Sequence, residues 1–258
     1  MSGHSHSKTV KATKDANAAV RGKIFSKMAR LISLAAKEGG SPDFNSKLKQ
    51  AVDMARKFNM PKENIERAIK RGTGELEGEK LEPITVEILG PGGVGVIVEG
   101  ITDNKNRSFG EIKQISQKRG CKLANEGSLK WQFERQGIIL VNLKPKTAPK
   151  ESKLPTGQAN LKYKEEMELA AIEAGAEDIQ WHTEDNEEIL EIRTNPDKLA
   201  NVKKALEEKG LEIESANLGW AAKEEVEAQG NDKETLEKLF EDLDENDSVQ
   251  AVYSNLAS

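Results

Sequence analysis

The chain has 258 residues, with 39 Lys or Arg against 44 Asp or Glu and a net charge of −5, enough for one to three small domains. It lacks the run of about 18 apolar residues that a membrane-spanning helix needs, and its first residues, MSGHSHSKTVKATKD, lack the apolar stretch of a secretory signal. A single cysteine, Cys121, excludes an intrachain disulfide and a cysteine-based metal site, and fits a reducing, cytoplasmic compartment.

In chain order, residues 1–11 carry no apolar periodicity and read as a flexible basic arm. A helix is expected from Ala12 to Glu38, because Ile24, Phe25, Met28, Leu31, Ile32 and Ala35 recur at helical spacing before Gly39–Gly40. Lys23, Lys27, Arg30 and Lys37 fall on its other side, predicting an outward basic ridge. A second helix follows an Asn45 or Ser46 cap and runs to Phe58. A third has Pro61 at its first position and Gly72 past its end. The Gly- and Glu-rich stretch 72–79 ends this helical domain.

The period then changes to two. Ile84, Val86 and Ile88 alternate as in a half-buried strand, Gly90–Gly93 makes a turn, and Val94–Ile101 is a second strand. A helix is expected over 104–119 and strands over 128–133 and 138–141. The proline- and lysine-rich segment 142–161 reads as a loop. Next come a helix (163–174), two strands (178–182 and 188–193), a helix (196–209) and a strand (211–220). With 138–141 in front, this is the βαββαβ order of a ferredoxin-like unit. A last helix (232–243) and strand (249–253) supply what the ββαβ of the middle segment lacks.

The expected class is therefore α+β: an N-terminal three-helix bundle followed by two α/β sandwich domains, the third ferredoxin-like and inserted in the second. The boundaries are an arm 1–11, a helical domain 12–78, a second domain 79–135 plus 223–258, and an insert 136–222.

Charge is divided along the chain. Residues 1–72 hold 16 Lys/Arg against 6 Asp/Glu, a balance of +10, whereas 136–258 hold 14 against 28, a balance of −14. A basic head on an acidic body predicts a polyanion partner for the head and leaves the acidic domains for a protein partner. Candidate phosphate contacts are Lys8, Lys11 and Lys14 on the arm, Arg21, Lys23, Lys27 and Arg30 on the first helix, and Lys62, Arg67, Lys70 and Arg71 on the third. Asn104, Lys105 and Arg107 of the turn Thr102–Arg107 add amides and cations at a helix start.

Catalysis has no comparable signal. Gly90–Gly95 resembles a phosphate loop but lacks the Gly-Lys-Ser/Thr and the helix that would follow it, so a strand-to-strand turn is expected. His4 and His6 have no third metal ligand, His182 reads as a surface residue near a strand end, and Cys121 reads as packing. No catalytic residue, metal or cofactor is expected.

Several segments together resemble the YebC/PmpR family. They include RGKIFSKMARLI (21–32), AAKEGG (35–40), MPKENIERAIKRGTGE (60–75), GPGGVGVIVE (90–99), TDNKNRS (102–108), FERQG (133–137), AGAED (174–178) and FEDLDENDSVQAVYSN (240–255). The family arm continues Gly-His-Ser-Lys-Trp. Here it reads Gly3–His4–Ser5–His6–Ser7, without the aromatic. The resemblance implies a helical domain and two α/β domains, the third inserted in the second, in a cytoplasmic, non-enzymatic protein of gene expression. Members are described as DNA-binding transcriptional regulators, and others as ribosome-associated factors assisting synthesis of proline-rich stretches. A small-molecule-sensing role, by analogy with other ferredoxin-like domains, is the third expectation.

Overall fold

The computed structural model describes residues 18–78, 80–143, 156–184 and 187–257. The arm, the first six residues of the expected first helix and most of the 142–161 segment lie outside them. The chain forms two compact units, Glu134–Ala221 and a larger one made of the flanking segments Gly3–Phe133 and Ala222–Ser258.

The larger unit begins with three helices, α1 (Ala18–Ala36), α2 (Ser46–Lys57) and α3 (Lys62–Thr73). Their apolar stripes meet in one core containing Ile32, Ala36, Leu48, Val52, Ile65 and Ala68. Asn45 caps α2, its side chain accepting from Leu48 N at 3.0 Å. Pro61 stands one place earlier than expected. Its ψ of 139° is extended, so it is the cap and Lys62 the first helical residue.

Gly72 does not end α3, as expected, but lies inside it. A Cβ there would stand 2.3 Å from the Ser33 carbonyl and 2.6 Å from Ala36 Cβ, so glycine lets α1 and α3 approach closely. Ser33 Oγ uses that closeness to donate to Ala68 O at 2.8 Å. The stop is Gly74, with φ 82°.

Strands β1 (Glu82–Leu89) and β2 (Gly95–Thr102) form a hairpin in the register Val86↔Val98 and Ile88↔Val96. Helix α4 (Lys105–Lys118) and a two-residue strand β3 (Lys122–Leu123) follow, then β4 (Phe133–Asn142). The smaller unit continues through α5 (Thr156–Ala174), β5 (Asp178–Glu184), β6 (Glu187–Thr194), α6 (Leu199–Glu208) and β7 (Ile213–Ala222). Helix α7 (Asn231–Asp244) and β8 (Val249–Ser254) close the chain.

Strand β8 pairs with β2, Val252 opposite Val98, giving the sheet order β3-β1-β2-β8. Ile112 of α4 and Leu236, Leu239 and Leu243 of α7 pack with Val86, Val96, Val98 and Val252 in one core. The smaller unit has the sheet order β5-β6-β4-β7, the ferredoxin-like arrangement. Met167, Ala171, Val202 and Leu206 of its helices pack on Ile139, Val141, Leu190 and Ile192. The fold is thus α+β, a helical bundle and two four-stranded sheets, each bearing a pair of helices.

The expected strand over 128–133 is a turn instead. Glu87 on β1 is only 3% exposed, and its carboxylate accepts from Gly127 N (2.5 Å), Leu129 N (2.6 Å) and Lys130 N (3.3 Å). Amides bound to a side chain cannot join a ladder, so a single turn of 3₁₀ helix spans Lys130–Gln132. The strand starts at Phe133 and runs unbroken through 138–141.

Candidate nucleic-acid interface

The candidate cations divide by what they touch. Lys8, Lys11 and Lys14 lie outside the described residues, as do His4 and His6. Arg21 and Lys23 are exposed on the first turns of α1. Lys27, expected on an outward ridge, is only 5% exposed. Its Nζ donates to the Asp244 carbonyl at 2.6 Å and lies 3.5 Å from the Asp244 carboxylate. Arg30 donates to Asp247 O at 2.6 Å, and Lys37 to Leu81 O at 2.5 Å.

The reason is α7. Asp244 is its last residue, with a carbonyl that has no helical partner and sits at the negative end of the helix dipole. Lys27 satisfies that carbonyl from another helix. The side of α1 opposite the bundle core is therefore split: Lys23 faces outward, while Lys27 and Arg30 fasten the bundle to the turn between α7 and β8.

On α3, Lys62 is exposed and 3.6 Å from Glu66. Arg67, Lys70 and Arg71 are exposed, and their i, i+3, i+4 spacing places them on one face. Among the described residues no carboxylate pairs with these three. Described residues 18–73 hold 13 Lys/Arg against 5 Asp/Glu, a balance of +8.

The Thr102–Arg107 turn is built differently. Asn104 caps α4, its side chain accepting from Arg107 N at 3.1 Å. Lys105 Nζ is 3.1 Å from Glu82, and Arg107 pairs with Asp103 and lies 3.8 Å from Glu111. Burial raises the Asp103 pKa, but its own backbone N–H and the Arg107 and Arg30 charges outweigh that and hold the carboxyl below its ordinary value. Thr102 Oγ1 and Ser108 Oγ are 2.7 Å apart, and Ser108 Oγ donates to Ser248 Oγ at 2.9 Å. The structure thus brings Arg30, Arg107 and Lys105 to one junction, where carboxylates and carbonyls already face them.

Cys121 is buried in the core of the first sheet, and burial pushes its thiol pKa up. Gly90 N donates to Val94 O at 2.8 Å, which closes the glycine turn on itself. His182, expected at the surface, is buried instead, with Nε2 3.4 Å from Glu191. Glu191, 3% exposed, also accepts from Arg193 Nε at 2.7 Å. Burial raises the Glu191 pKa, but His182 and Arg193 together bring it below the ordinary value. These residues sit on the adjacent strands β5 and β6, with His182 and Arg193 both against the Glu191 carboxylate. Among the described residues no cluster of three His, Cys, Asp or Glu could hold a metal ion, and no helix is long and apolar enough to cross a membrane.

Two exposed aromatics were not marked as candidates in the sequence reading. Phe44 is 95% exposed at the tip of the α1–α2 turn, and Trp131 is 68% exposed beside the Glu87-bound turn. The sequence signal for Phe44 is an apolar residue outside any helical period, directly before a capping asparagine.

Comparison with known proteins follows the same division. Residues 5–75 match the model of the TACO1/YebC protein N-terminal domain, and 81–256 that of the TACO1/YebC second and third domain. A probable transcriptional regulatory protein of Persephonella marina is 46% identical over 99% of this chain and 95% of its own length. Another, from Caldanaerobacter subterraneus subsp. tengcongensis, is 42% identical over 99% of this chain and 98% of its own. A crystal structure of a conserved hypothetical protein from Aquifex aeolicus has a TM-score of 0.81 and 39% identity, covering 98% of this chain and 96% of that one. With both family models in order along nearly its whole length, the chain belongs to the TACO1/YebC family.

Proposed function

We propose that this chain is a non-enzymatic regulator of gene expression that binds nucleic acid through its helical bundle, with DNA as the first target. The observation that carries the reading is the face Arg67, Lys70 and Arg71 on α3, exposed and in no ion pair among the described residues, on a region of balance +8 even with Glu63 and Glu66 on the same helix. Arg21 and Lys23 extend the positive surface on α1, and the arm lysines Lys8, Lys11 and Lys14 would add to it. The names of the relatives, probable transcriptional regulatory proteins, support DNA.

A second reading, structured RNA such as that of the ribosome, is favoured by one feature. The exposed side chains of α3 include four cations suited to phosphates, Lys62, Arg67, Lys70 and Arg71, and its one amide side chain suited to reading an adenine edge, Asn64, is half-buried. The acidic smaller unit then serves for a protein partner or for orientation.

The test is a salt titration of binding to a labelled duplex. Replacing Arg67, Lys70 and Arg71 together with Glu should weaken binding about a hundredfold and reduce the slope of log K against log salt by about two to three. Unchanged affinity and slope would remove the helical bundle as the binding surface.

A further inference from the structure

Phe44 is an apolar ring placed almost wholly in water on a turn that is otherwise tightly fastened. Phe44 N donates to Ser41 O at 3.2 Å. The next residue, Asn45, is buried, and its Nδ2 donates to both Ala35 O and Gly39 O at 2.8 Å. Its Oδ1 accepts from Leu48 N, and its carbonyl from Lys49 N at 2.9 Å. The backbone that carries the ring is therefore ordered before anything binds, so little conformational entropy remains to be lost there. A ring so held and left 95% exposed has no role in the bundle core.

Its surroundings select the occupant. Among the described residues 18–78 the other exposed large apolar side chains are Val20 and Leu76, each 42% exposed, too few for the apolar core of a protein interface. The region 18–73 has 13 cations against 5 carboxylates; at the ring itself Asp43 precedes Phe44 and Lys47 and Lys49 follow it on the first turn of α2, all three exposed. Lys47 makes a surface pair with Glu38 at 2.6 Å, which a phosphate can exchange. One isolated aromatic on a cationic surface is the make-up of a platform for an unpaired base, stacked face to face while neighbouring phosphates meet lysines.

We propose that Phe44 stacks on an unpaired nucleobase of a single-stranded nucleic acid, with Lys47 and Lys49 on the flanking phosphates. This rests on the nucleic-acid reading above and adds single-strand recognition to it. Stacking transfers no proton and forms no bond, so the effect is on affinity alone.

The experiment uses the full chain and two labelled probes, an oligouridylate of about 12 nucleotides and a G·C duplex of the same length, by fluorescence anisotropy at one salt concentration. Phe44→Ala should weaken oligouridylate binding about tenfold and leave duplex binding unchanged, and Phe44→Trp should retain or strengthen it. Because the ring packs on nothing, the melting temperature of Phe44→Ala should equal that of the parent, which separates stacking from misfolding. If Phe44→Ala binds oligouridylate as the parent does, while the duplex is still bound, the stacking proposal fails and the nucleic-acid reading stands. If the parent binds neither probe, both fail. If Phe44→Ala loses self-association in sedimentation with unchanged oligouridylate affinity, the ring serves a second copy of the chain and the proposal is overturned.

Discussion

Two cationic faces of one small bundle have opposite fates. On α1, buried Lys27 and half-buried Arg30 donate to the main-chain carbonyls of Asp244 and Asp247. On α3, Arg67, Lys70 and Arg71 are turned to solvent and, among the described residues, pair with no carboxylate. In the sequence both sets are basic residues on the polar side of an amphipathic helix. The difference is made by α7, whose C-terminal carbonyls have no helical partner and take donors where α1 passes. A count of cations therefore exceeds the number that have no protein partner: Lys27 and Arg30 already hold main-chain carbonyls.

The strongest way to break this contrast is Lys27→Ala. It removes the Lys27 donor from a half-buried carbonyl and from the Asp244 carboxylate, and should lower unfolding stability by about 1–3 kcal/mol in a urea titration. If stability were unchanged while nucleic-acid affinity fell, Lys27 would belong with the outward set. Gly72→Ala comes next. Its new methyl would strike the Ser33 carbonyl and push α3, with its outward cations, away from α1. A loss of about 1–3 kcal/mol is expected, and a neutral outcome would show that the helices yield easily.

Acid offers a milder probe of the inward set. The Asp103 carboxyl is held below its ordinary value: burial opposes this, but its backbone N–H, Arg107 and Arg30 prevail. Asp242 is held down first by its hydrogen bond with Arg119, against burial, and then by the Arg119 charge. A depressed folded-state value means stability that is fully present above the unfolded carboxylate range and lost as pH falls through the folded values. Melting temperature should therefore drop below pH about 4, and Asp103→Asn should reduce that part of the dependence. A profile identical to the parent's would show that these pairs do not contribute to folding. The smallest effect is expected from Lys105→Ala, whose exposed pair with Glu82 should change stability by less than about 1 kcal/mol.

What the sequence made legible is what depends on near neighbours. The cores of α2 and α3, the β1–β2 hairpin and the βαββαβ order follow from periods of 3.6 and 2 within single segments. The places where the reading failed depend on residues far along the chain. Gly72 looked like a helix end because its partners, Ser33 and Ala36, are on another helix. Residues 128–132 looked like a strand because nothing nearby indicates that their amides belong to Glu87, some forty positions earlier. His182 looked like a surface residue until Glu191 on the adjacent strand was placed beside it. Lys27 looked outward because the helical wheel shows where the bundle core is, but not which other element arrives on the opposite side. The same limit hid Phe44, since exposure of an aromatic is a statement about everything that fails to pack on it.

The pairing of β8 with β2 has a consequence for how the protein is made. A ribosome releases the chain from its N-terminus, so β1, β2 and α4 emerge while their final strand and α7 do not yet exist. During synthesis from residue 102 to residue 254, roughly ten to thirty seconds at ordinary elongation rates, Val96 and Val98 sit on an open sheet edge and the seats of Leu236, Leu239 and Leu243 are empty. The smaller unit has all its strands by residue 222 and can fold ahead of the sheet that brackets it. A message truncated between the codons for residues 222 and 249 would therefore yield one finished sheet and one unpaired edge, a product suited to chaperone capture or degradation.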